Sequence, residues 1–296
     1  MKNIVLTGGT GFVGSHLREK LHGLGFSVFV ITRHKQKHTK NGIHFLQADL
    51  QDVVSLKKLA SQLPSTFICI DAAAHIPVPG ATTSIEQYLQ ENFLSHVSFF
   101  ELYKSRIQKV VYLSTVDVYG KMIGSALKES QPCRTLTSYG LSKFLLEQYY
   151  LFAQESFHIP VVILRLSQVY GSGAHPFNAL PTFLSLATQK KSLILYGKGE
   201  EKRTYVHVDD VAQAVLLAVT KNKTGVYNVA GSQTCSLHDL IDRIKKSAPY
   251  PVEVQFQKRQ KPLHHQHISI KKIQIELNFH PSVSLKQGIQ NYLQLC

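Results

Sequence analysis

The chain has 296 residues, and its 33 lysines and arginines against 19 aspartates and glutamates give a formal net charge of +14. With 44% hydrophobic residues and a mean hydropathy near zero, the composition is typical of a soluble globular protein. No stretch approaches the roughly 20 consecutive apolar residues that a transmembrane helix needs. These features exclude a membrane-spanning chain, and we expect no membrane association.

The basic surplus is concentrated in residues 33–40 and 258–272. Such a surplus suits either a nucleic acid or a small anionic ligand. Neither segment interleaves aromatic side chains with the basic ones, as a single-strand binding surface does. We therefore expect a small anionic ligand and no nucleic acid.

The cysteines are scattered and show no C-x-x-C spacing, which predicts free thiols in a reducing, cytoplasmic location. They are Cys69, Cys133, Cys235 and Cys296. Three histidines lie close together in the sequence, His264, His265 and His267, but no acidic or cysteine residue nearby would complete a set of metal ligands. The sequence therefore predicts no metal site.

The first predicted element is a buried strand over residues 2–6, followed by glycines at positions 8, 11 and 14 and a helix from about Ser15. A tight glycine turn lets the backbone approach a pyrophosphate, and the helix N-terminus offers free N–H groups. The G-x-x-G-x-x-G spacing is a variant of the dinucleotide fingerprint. This segment predicts a cofactor-binding loop.

Apolar strands then alternate with helices as far as about residue 170. Helices are predicted over about 15–23, 52–63, 84–105 and 138–155, and strands over 26–32, 43–47, 66–70, 110–114 and 161–164. Continuous apolar strands between helices are typical of a parallel sheet that is covered on both faces. The predicted fold is α/β, with a Rossmann-like doubly wound parallel sheet.

From about Gly171 this alternation gives way to prolines, glycines and short elements. We expect an NAD(P)-binding Rossmann domain over residues 1–170, with about 204–232 returning to it and Val226–Val229 joining the main sheet. A smaller C-terminal substrate-binding lobe is expected from residues 171–203 and 233–296.

Tyr139 and Lys143 are four residues apart and therefore share one face of a predicted helix. A free phenol has a pKa near 10 and is a poor base at neutral pH. A neighbouring ammonium, together with a positive nicotinamide ring, favours the phenolate. Ser114-Thr115, at the end of the fifth strand, can supply a hydroxyl donor. Taken alone, Tyr-x-x-x-Lys also occurs by chance on surface helices.

Together these segments resemble the extended short-chain dehydrogenase/reductase family, in its NAD(P)-dependent sugar-nucleotide epimerase/dehydratase branch. Residues 7–14 are similar to its T-G-x-x-G-F-x-G loop, and residues 114–120 to its S-[ST]-x-x-V-Y-G segment. Residues 139–143 match its Y-x-x-x-K, and residues 203–210 resemble R-D-F-[IV]-H-V-x-D. The resemblance covers nearly the whole chain except its C-terminal end.

The resemblance implies a role for each matching residue. The implied catalytic residues are Thr115, Tyr139 and Lys143. The implied cofactor contacts are Gly8, Gly11, Phe12, Val13, Gly14, Asp49, Leu50, Ala73, Ala74, Asn92, Tyr139 and Lys143. The implied substrate contacts are Thr115, Gln168, Asn178 and Arg203, with Asn178 on the nucleotide diphosphate and Arg203 on a substrate phosphate.

Two departures from the family pattern affect the expected chemistry. The second strand ends in Thr32-Arg33, without the acidic residue that bonds the ribose 2′-OH of NAD. Arg33 suits a 2′-phosphate as a further cofactor contact, so NADP is expected to be preferred to NAD; alternatively, Arg33 stacks on the adenine. Val116-Asp117 stands where dehydratases carry Asp-Glu, which disfavours dehydration, although Asp117 keeps it open.

The sequence thus predicts a nucleotide-sugar 4-epimerase that acts on a UDP-, dTDP- or GDP-linked sugar by hydride transfer at C4 through a 4-keto intermediate. One alternative is an NADPH-dependent reductase of nucleotide 4-keto sugars. Another is a non-catalytic NADP-sensing or scaffold protein, for which the full set Thr115, Tyr139 and Lys143 would be unnecessary. A homodimer through the helices at 84–105 and 138–155 is also expected.

Overall fold

The computed structural model describes residues 2–36, 42–122, 126–259 and 265–294. The chain divides into two compact units. Unit 1 comprises Met1–Gly120, Cys133–Arg165 and Ala212–Tyr227, and unit 2 comprises Lys121–Pro132, Leu166–Val211 and Asn228–Cys296. These bounds differ from the expected ones in three places. The segment returning to unit 1 is 212–227 rather than about 204–232, and residues 121–132 and 166–170 fall in unit 2.

The β-strands are numbered in chain order. They are β1 Asn3–Thr7, β2 Ser27–Thr32, β3 Ile43–Gln47, β4 Phe67–Asp71, β5 Ile107–Thr115, β6 Val161–Leu166, β7 Gln168–Tyr170, β8 Leu193–Tyr196, β9 Lys202–His207, β10 Gly225–Val229, β11 Thr234–Ser236 and β12 Val254–Gln257.

The α-helices alternate with the strands through the first half of the chain. They are α1 Phe12–Gly23, α2 Val53–Lys57, α3 Ile85–Leu89, α4 Ser95–Tyr103, α5 Ser138–Phe157, α6 Ala179–Thr188, α7 Val208–Thr220, α8 Leu237–Ser247, α9 Lys271–Leu277 and α10 Leu285–Gln294. No helix in the described part of the chain is both long enough and apolar enough to cross a membrane.

Seven strands form the main sheet, in the order β10-β6-β5-β4-β1-β2-β3. The pairs β1–β2, β1–β4, β2–β3 and β4–β5 are parallel. The Rossmann-like parallel sheet predicted from the sequence is confirmed, as is the return of residues 226–229 to it in β10. Strand order reverses at β1, which lies between β2 and β4, and ligands of open α/β sheets bind at such a switch point.

The core of unit 1 forms because its strands are apolar on both sides. Every residue of β4 and of β6 is buried, as expected for parallel strands with both faces covered. Helix α5 packs against the sheet through Leu146, Tyr150 and Ala153, each with no more than 1% of its surface exposed.

Side-chain caps determine where several helices begin. The Asp52 carboxylate accepts the Val54 N–H at the start of α2, and the Thr137 hydroxyl accepts the Gly140 N–H at the start of α5. The predicted helix from Asp52 to Leu63 is shorter than expected, since α2 passes into a 3₁₀ turn, Lys58–Ser61. The predicted helix over 84–105 consists of α3, a π-helical turn at Gln90–Leu94, α4 and a 3₁₀ turn at Lys104–Arg106.

Unit 2 has its own sheet and core. Strands β11, β9 and β7 form a three-stranded sheet, and β12 pairs with β8 in parallel. The apolar faces of α6, α8 and α10 enclose a cluster that includes Leu184, Leu240, Ile244 and Ile289, each fully buried. These short elements account for the change of pattern that the sequence shows after Gly171.

Cys69, Cys133 and Cys235 are free thiols, as predicted. The described residues contain no cluster of histidine, cysteine, aspartate or glutamate side chains that would hold a metal ion. Residues 37–40 of the first basic segment, His264 and Cys296 lie outside the described residues.

Candidate active site

The glycine loop between β1 and α1 has room for backbone but not for side chains. Gly8 has φ +67°, and a Cβ atom there would lie 2.7 Å from the Ala72 carbonyl carbon and oxygen. A Cβ at Gly14 would lie 2.0 Å from the Gly8 oxygen. Gly11 is the N-cap residue of α1 and makes no side-chain cap hydrogen bond. This loop fits a pyrophosphate group, as the sequence predicts.

A cavity of about 430 Å³ opens beside this loop, and we call it the glycine-loop pocket. Its walls come from the ends of β1, β2 and β4 and from the residues after β3. The predicted cofactor contacts that line it are Gly8, Gly11, Arg33, Asp49, Leu50, Ala73 and Ala74. Its concave shape and glycine floor fit a nicotinamide dinucleotide, which the residues just named would hold. Phe12, Val13 and Gly14 lie next to the loop in α1 but are not among its lining residues.

Asn92 lies within the π-helical turn and is 1% exposed. Its amide oxygen accepts the His75 N–H at 2.6 Å, and its amide nitrogen donates to the His75 carbonyl at 2.9 Å and to the Ser142 hydroxyl at 3.1 Å. Asn92 is not among the lining residues of the glycine-loop pocket. Through these hydrogen bonds Asn92, a predicted cofactor contact, joins the segment after β4 to α5.

The predicted catalytic hydroxyl of Thr115 lies beside the Tyr139 phenol, close enough to act on the pKa of that phenol through a hydrogen bond. Thr115 ends β5, and its hydroxyl also accepts the Asp117 N–H at 3.2 Å. Tyr139 lies in the first turn of α5, where its ring meets the Tyr88 ring edge-on with 6.1 Å between centroids. The sheet and α5 thus bring together two hydroxyl groups that are 24 positions apart in the sequence.

Lys143 lies one turn after Tyr139 and is 2% exposed. Its ammonium is 4.4 Å from the centroid of the Tyr112 ring. Burial lowers the pKa of Lys143 to about 8, although the carboxylates of Asp71 and Glu147 act in the opposite direction. A lysine in this environment exchanges its proton near neutral pH.

The expectation that Lys143 lowers the pKa of Tyr139 is not met. The pKa of Tyr139 is raised, first by burial and then by the Asp117 carboxylate and Tyr88, while the hydrogen bond with Thr115 acts against this rise. The physical reason is desolvation, because a phenolate loses more solvation on burial than a phenol does. Asp117 adds a negative charge that sequence spacing did not place beside this phenol.

The predicted substrate contacts Gln168, Asn178 and Arg203 belong to unit 2. Gln168 begins β7, and its buried Oε1 has no hydrogen-bond partner among the residues described. Asn178 is the exposed N-cap residue of α6 and makes no side-chain cap bond. The Arg203 guanidinium pairs with Glu201 at 2.7 Å and donates to the Lys202 carbonyl at 3.1 Å.

Comparison with known proteins decides the family. The sequence model of the NAD dependent epimerase/dehydratase family matches residues 4–230, well over half of the chain. The chain belongs to this family. It is therefore an enzyme of the epimerase/dehydratase type, and the resemblance stated from its motifs is confirmed.

Relatives of this epimerase/dehydratase family protein include epimerases and dehydratases. The chain is 29% identical over 296 residues to a putative UDP-glucose 4-epimerase of Methanocaldococcus jannaschii, covering 97% of this chain and 96% of the relative. It is 27% identical over 263 residues to human dTDP-D-glucose 4,6-dehydratase, covering 83% and 75% of the two chains.

Solved structures agree with the fold of this family member. The UDP-glucose 4-epimerase of Thermus thermophilus, solved in complex with NAD, superposes with a TM-score of 0.87 and 25% identity and covers 99% of this chain and 98% of that one. The UDP-glucuronic acid 4-epimerase of Bacillus cereus, solved with UDP-glucuronic acid and NAD, gives 0.86 and 25%, with 99% of each chain covered. Neither structure supports the NADP preference expected from Arg33.

Reasoning from the sequence missed four buried ionisable residues of this family member, Asp71, His96, Glu147 and Arg165. Each has at most 4% of its surface exposed. Asp71 ends β4 and His96 lies in α4, while Glu147 in α5 faces Arg165 in β6. A charged residue inside an otherwise apolar strand is the signal that would have found Asp71 and Arg165. No sequence spacing would have revealed their partners.

Proposed function

We propose that this enzyme is a nucleotide-sugar 4-epimerase. The observation that carries the proposal is the placement of the Thr115 hydroxyl beside the Tyr139 phenol, one helical turn from the buried ammonium of Lys143. The phenolate form of Tyr139 can accept a proton from a sugar hydroxyl, and the resulting phenol can return it. The UDP-sugar 4-epimerases among its relatives support the substrate class.

In this proposal each residue has one task. Tyr139 takes the proton from the sugar C4 hydroxyl. It returns the proton after the 4-keto group has been reduced on its opposite face. Thr115 orients the phenol and the reacting oxygen through its hydroxyl. A nicotinamide dinucleotide in the glycine-loop pocket, once bound, supplies the hydride acceptor and donor. Lys143, one helical turn from the phenol, would contact the ribose of that dinucleotide.

Dehydration is disfavoured at the position where dehydratases carry an acid pair. Val116 is 2% exposed and has no group that can donate a proton. Asp117 follows it in the 3₁₀ turn, and its carboxylate acts on Tyr139 by raising the phenol pKa. This supports epimerisation over elimination of water, because elimination needs a general acid on the leaving hydroxyl.

A second candidate is reduction of a nucleotide 4-keto sugar with NADPH. It is favoured by Arg33, which is exposed at the wall of the glycine-loop pocket and has no ion-pair partner among the described residues. In both candidates we propose Gln168, Asn178 and Arg203 as contacts to the nucleotide sugar and a homodimer as the assembly.

The test is interconversion of UDP-glucose with UDP-galactose, and of the corresponding N-acetyl sugars and glucuronic acids, followed by proton NMR in D₂O. We expect interconversion without added reductant and with hydrogen, not deuterium, retained at C4. Deuterium at C4 would contradict hydride transfer. Reduction of an added UDP-linked 4-keto sugar, with one NADPH consumed for each sugar, would establish the reductase instead. Arg203→Ala, with Arg203→Lys as control, is expected to raise KM more than it lowers kcat.

A further inference from the structure

A buried cluster of polar side chains lies beneath the glycine-loop pocket, with Asp71 at its centre. The Asp71 carboxylate accepts hydrogen bonds from the Thr7 hydroxyl at 2.6 Å and from the Tyr150 hydroxyl at 2.6 Å. His96 Nδ1 lies 2.8 Å from each of the two carboxylate oxygens. Thr7, Asp71, Tyr150 and His96 each have at most 2% of their surface exposed. The cluster joins β1, β4, α4 and α5.

The cluster connects directly to the glycine loop. The Thr7 hydroxyl, which donates to Asp71, accepts the N–H groups of Ala72 and Ala73 at 3.1 Å each. Thr7 precedes Gly8, whose backbone lies against Ala72. Asp71 thereby holds together the two strand ends that form the floor of the pocket.

The hydrogen bonds fix the orientation of the His96 ring. Burial by itself raises the pKa of Asp71, but His96, Thr7 and Tyr150 outweigh it and hold that pKa below its usual value, so the carboxylate is ionised. Because a carboxylate only accepts hydrogen bonds, Nδ1 carries the proton that it shares with Asp71. Nε2 is then the remaining polar atom of the ring.

The imidazole is also placed at the pocket. His96 lines the glycine-loop pocket together with Gly8, Gly11 and Ala73. Within the described residues no side chain or backbone group bonds to Nε2, whereas His75, also in the pocket wall, has both ring nitrogens engaged, by Glu91 and Thr83. A polar atom of a buried ring without a protein partner, at a cavity wall, indicates a ligand contact.

A structural role is not the whole account of this pair. A buried carboxylate–imidazole pair is worth little more than well-packed apolar side chains of similar volume, because both groups must be desolvated. A carboxylate that fixes one nitrogen of an imidazole does, however, determine what the other nitrogen can bind.

We propose that His96, held by Asp71, is a dinucleotide-binding residue whose Nε2 hydrogen-bonds the cofactor. Nε2 accepts from a ribose hydroxyl when the ring is neutral, or donates to a phosphate oxygen when the ring is protonated. The inference rests on the dinucleotide binding in the proposed function. Asp71 is its positioning residue, which keeps Nε2 directed at the ligand. The sequence motifs do not include either residue.

The test is the affinity for NAD, measured by calorimetry on the whole protein. His96→Asn keeps an amide where Nδ1 meets Asp71 but removes the atom at Nε2, and we expect it to weaken NAD binding about tenfold or more, a change of about 1.4 kcal/mol. His96→Gln places an amide near the Nε2 position, and we expect it to stay within about threefold of the wild type.

The matched control is Tyr103→Phe, which removes another buried hydrogen bond of α4, to the Leu56 carbonyl, away from the pocket. We expect it to leave NAD affinity unchanged. Equal NAD affinities of wild type and His96→Asn would overturn the proposal. So would a loss in His96→Asn that Tyr103→Phe reproduces, since it would follow from reduced stability.

Adenosine, AMP and ADP-ribose as competing ligands locate the oxygen. If His96→Asn already weakens the binding of adenosine, Nε2 contacts a hydroxyl of the adenosine ribose. If it weakens only the binding of AMP or ADP-ribose, Nε2 contacts a phosphate or the second ribose. Wild-type protein that binds neither NAD nor NADP would overturn the inference together with the proposed function. Wild-type protein that binds NAD but converts no nucleotide sugar would contradict the proposed function alone. The NAD affinities of the His96 variants would then still decide whether His96 binds the dinucleotide.

Discussion

The Arg165 guanidinium binds the Glu147 carboxylate through two nitrogens, with Nη2 at 2.6 Å from Oε2 and Nε at 3.0 Å from Oε1. Both side chains are buried, with 4% and 0% of their surface exposed. The Ser114 hydroxyl donates to the same carboxylate at 2.5 Å. This ion pair joins β6 to α5, the helix that carries Tyr139 and Lys143, and it lies next to Thr115, which follows Ser114.

Glu147→Gln is expected to destabilise the fold by about 3–5 kcal/mol, because it leaves the Arg165 charge buried without a carboxylate. Urea denaturation followed by circular dichroism measures this loss. The double variant Glu147→Leu/Arg165→Met removes both charges and should recover most of the stability. A single variant as stable as the wild type would show that the pair contributes nothing to holding α5 on the sheet.

Tyr139→Phe is expected to lower kcat by roughly two to four orders of magnitude, since positioned acid–base catalysis contributes about that much. The phenol is the group that moves the proton, and the ring itself is retained, so NAD affinity should not change. Steady-state kinetics and a parallel NAD titration check both halves of this prediction. Near-normal turnover in the phenylalanine variant would remove Tyr139 from the proposed mechanism.

The activity is expected to fall on the alkaline side of about pH 8. Burial lowers the pKa of Lys143 to about 8, so the ammonium is lost as the pH rises through that value. In Lys143→Arg the guanidinium stays charged, and the residual activity should show no fall between about pH 8 and 10. Because the Glu147 carboxylate raises the pKa of Lys143, Glu147→Gln should move the alkaline limb to lower pH. An unchanged limb in both variants would contradict the assignment.

Lys143 also determines whether the free energy of unfolding rises or falls with pH. The pKa of Lys143 is about 8 in the folded protein, below the value of about 10.4 for a free lysine. Between these values the unfolded chain binds more protons, so the free energy of unfolding rises with pH across this window. Lys143→Met should lack this rise, which denaturation curves at about pH 8 and pH 10 would show.

Arg33→Ala is expected to reduce the ratio of NADPH affinity to NADH affinity by about ten- to a hundredfold, because a charge-assisted contact to the 2′-phosphate is worth roughly 1.5–3 kcal/mol. Arg33 is exposed at the pocket wall, and Thr32, buried beside it, lies within 3.4 Å of the His34 backbone. Side-by-side titrations of both proteins give the ratio. Wild-type protein that binds NADH as tightly as NADPH would instead agree with the NAD named in the structures of its relatives.

Local patterns determined much of this protein. The strand, the three glycines and the following helix are contiguous, so their order alone predicts the phosphate loop between β1 and α1. Tyr139 and Lys143 are one turn apart on α5, and helical geometry places them on one face without reference to the rest of the chain. The cap at Asp52 is equally local, because its carboxylate accepts an N–H group only two residues away.

Only the tertiary structure decided what surrounds these groups. His96 meets Asp71 across 25 positions, and Arg165 meets Glu147 across 18, through the packing of α4 and α5 on the sheet. Burial in that packing raises the pKa of Tyr139 and lowers that of Lys143. Their spacing alone predicts instead that the pKa of Tyr139 is lowered. Sequence determines which groups share an element, because that geometry is local. Desolvation and charge pairing depend on which elements meet, and only the folded chain fixes that.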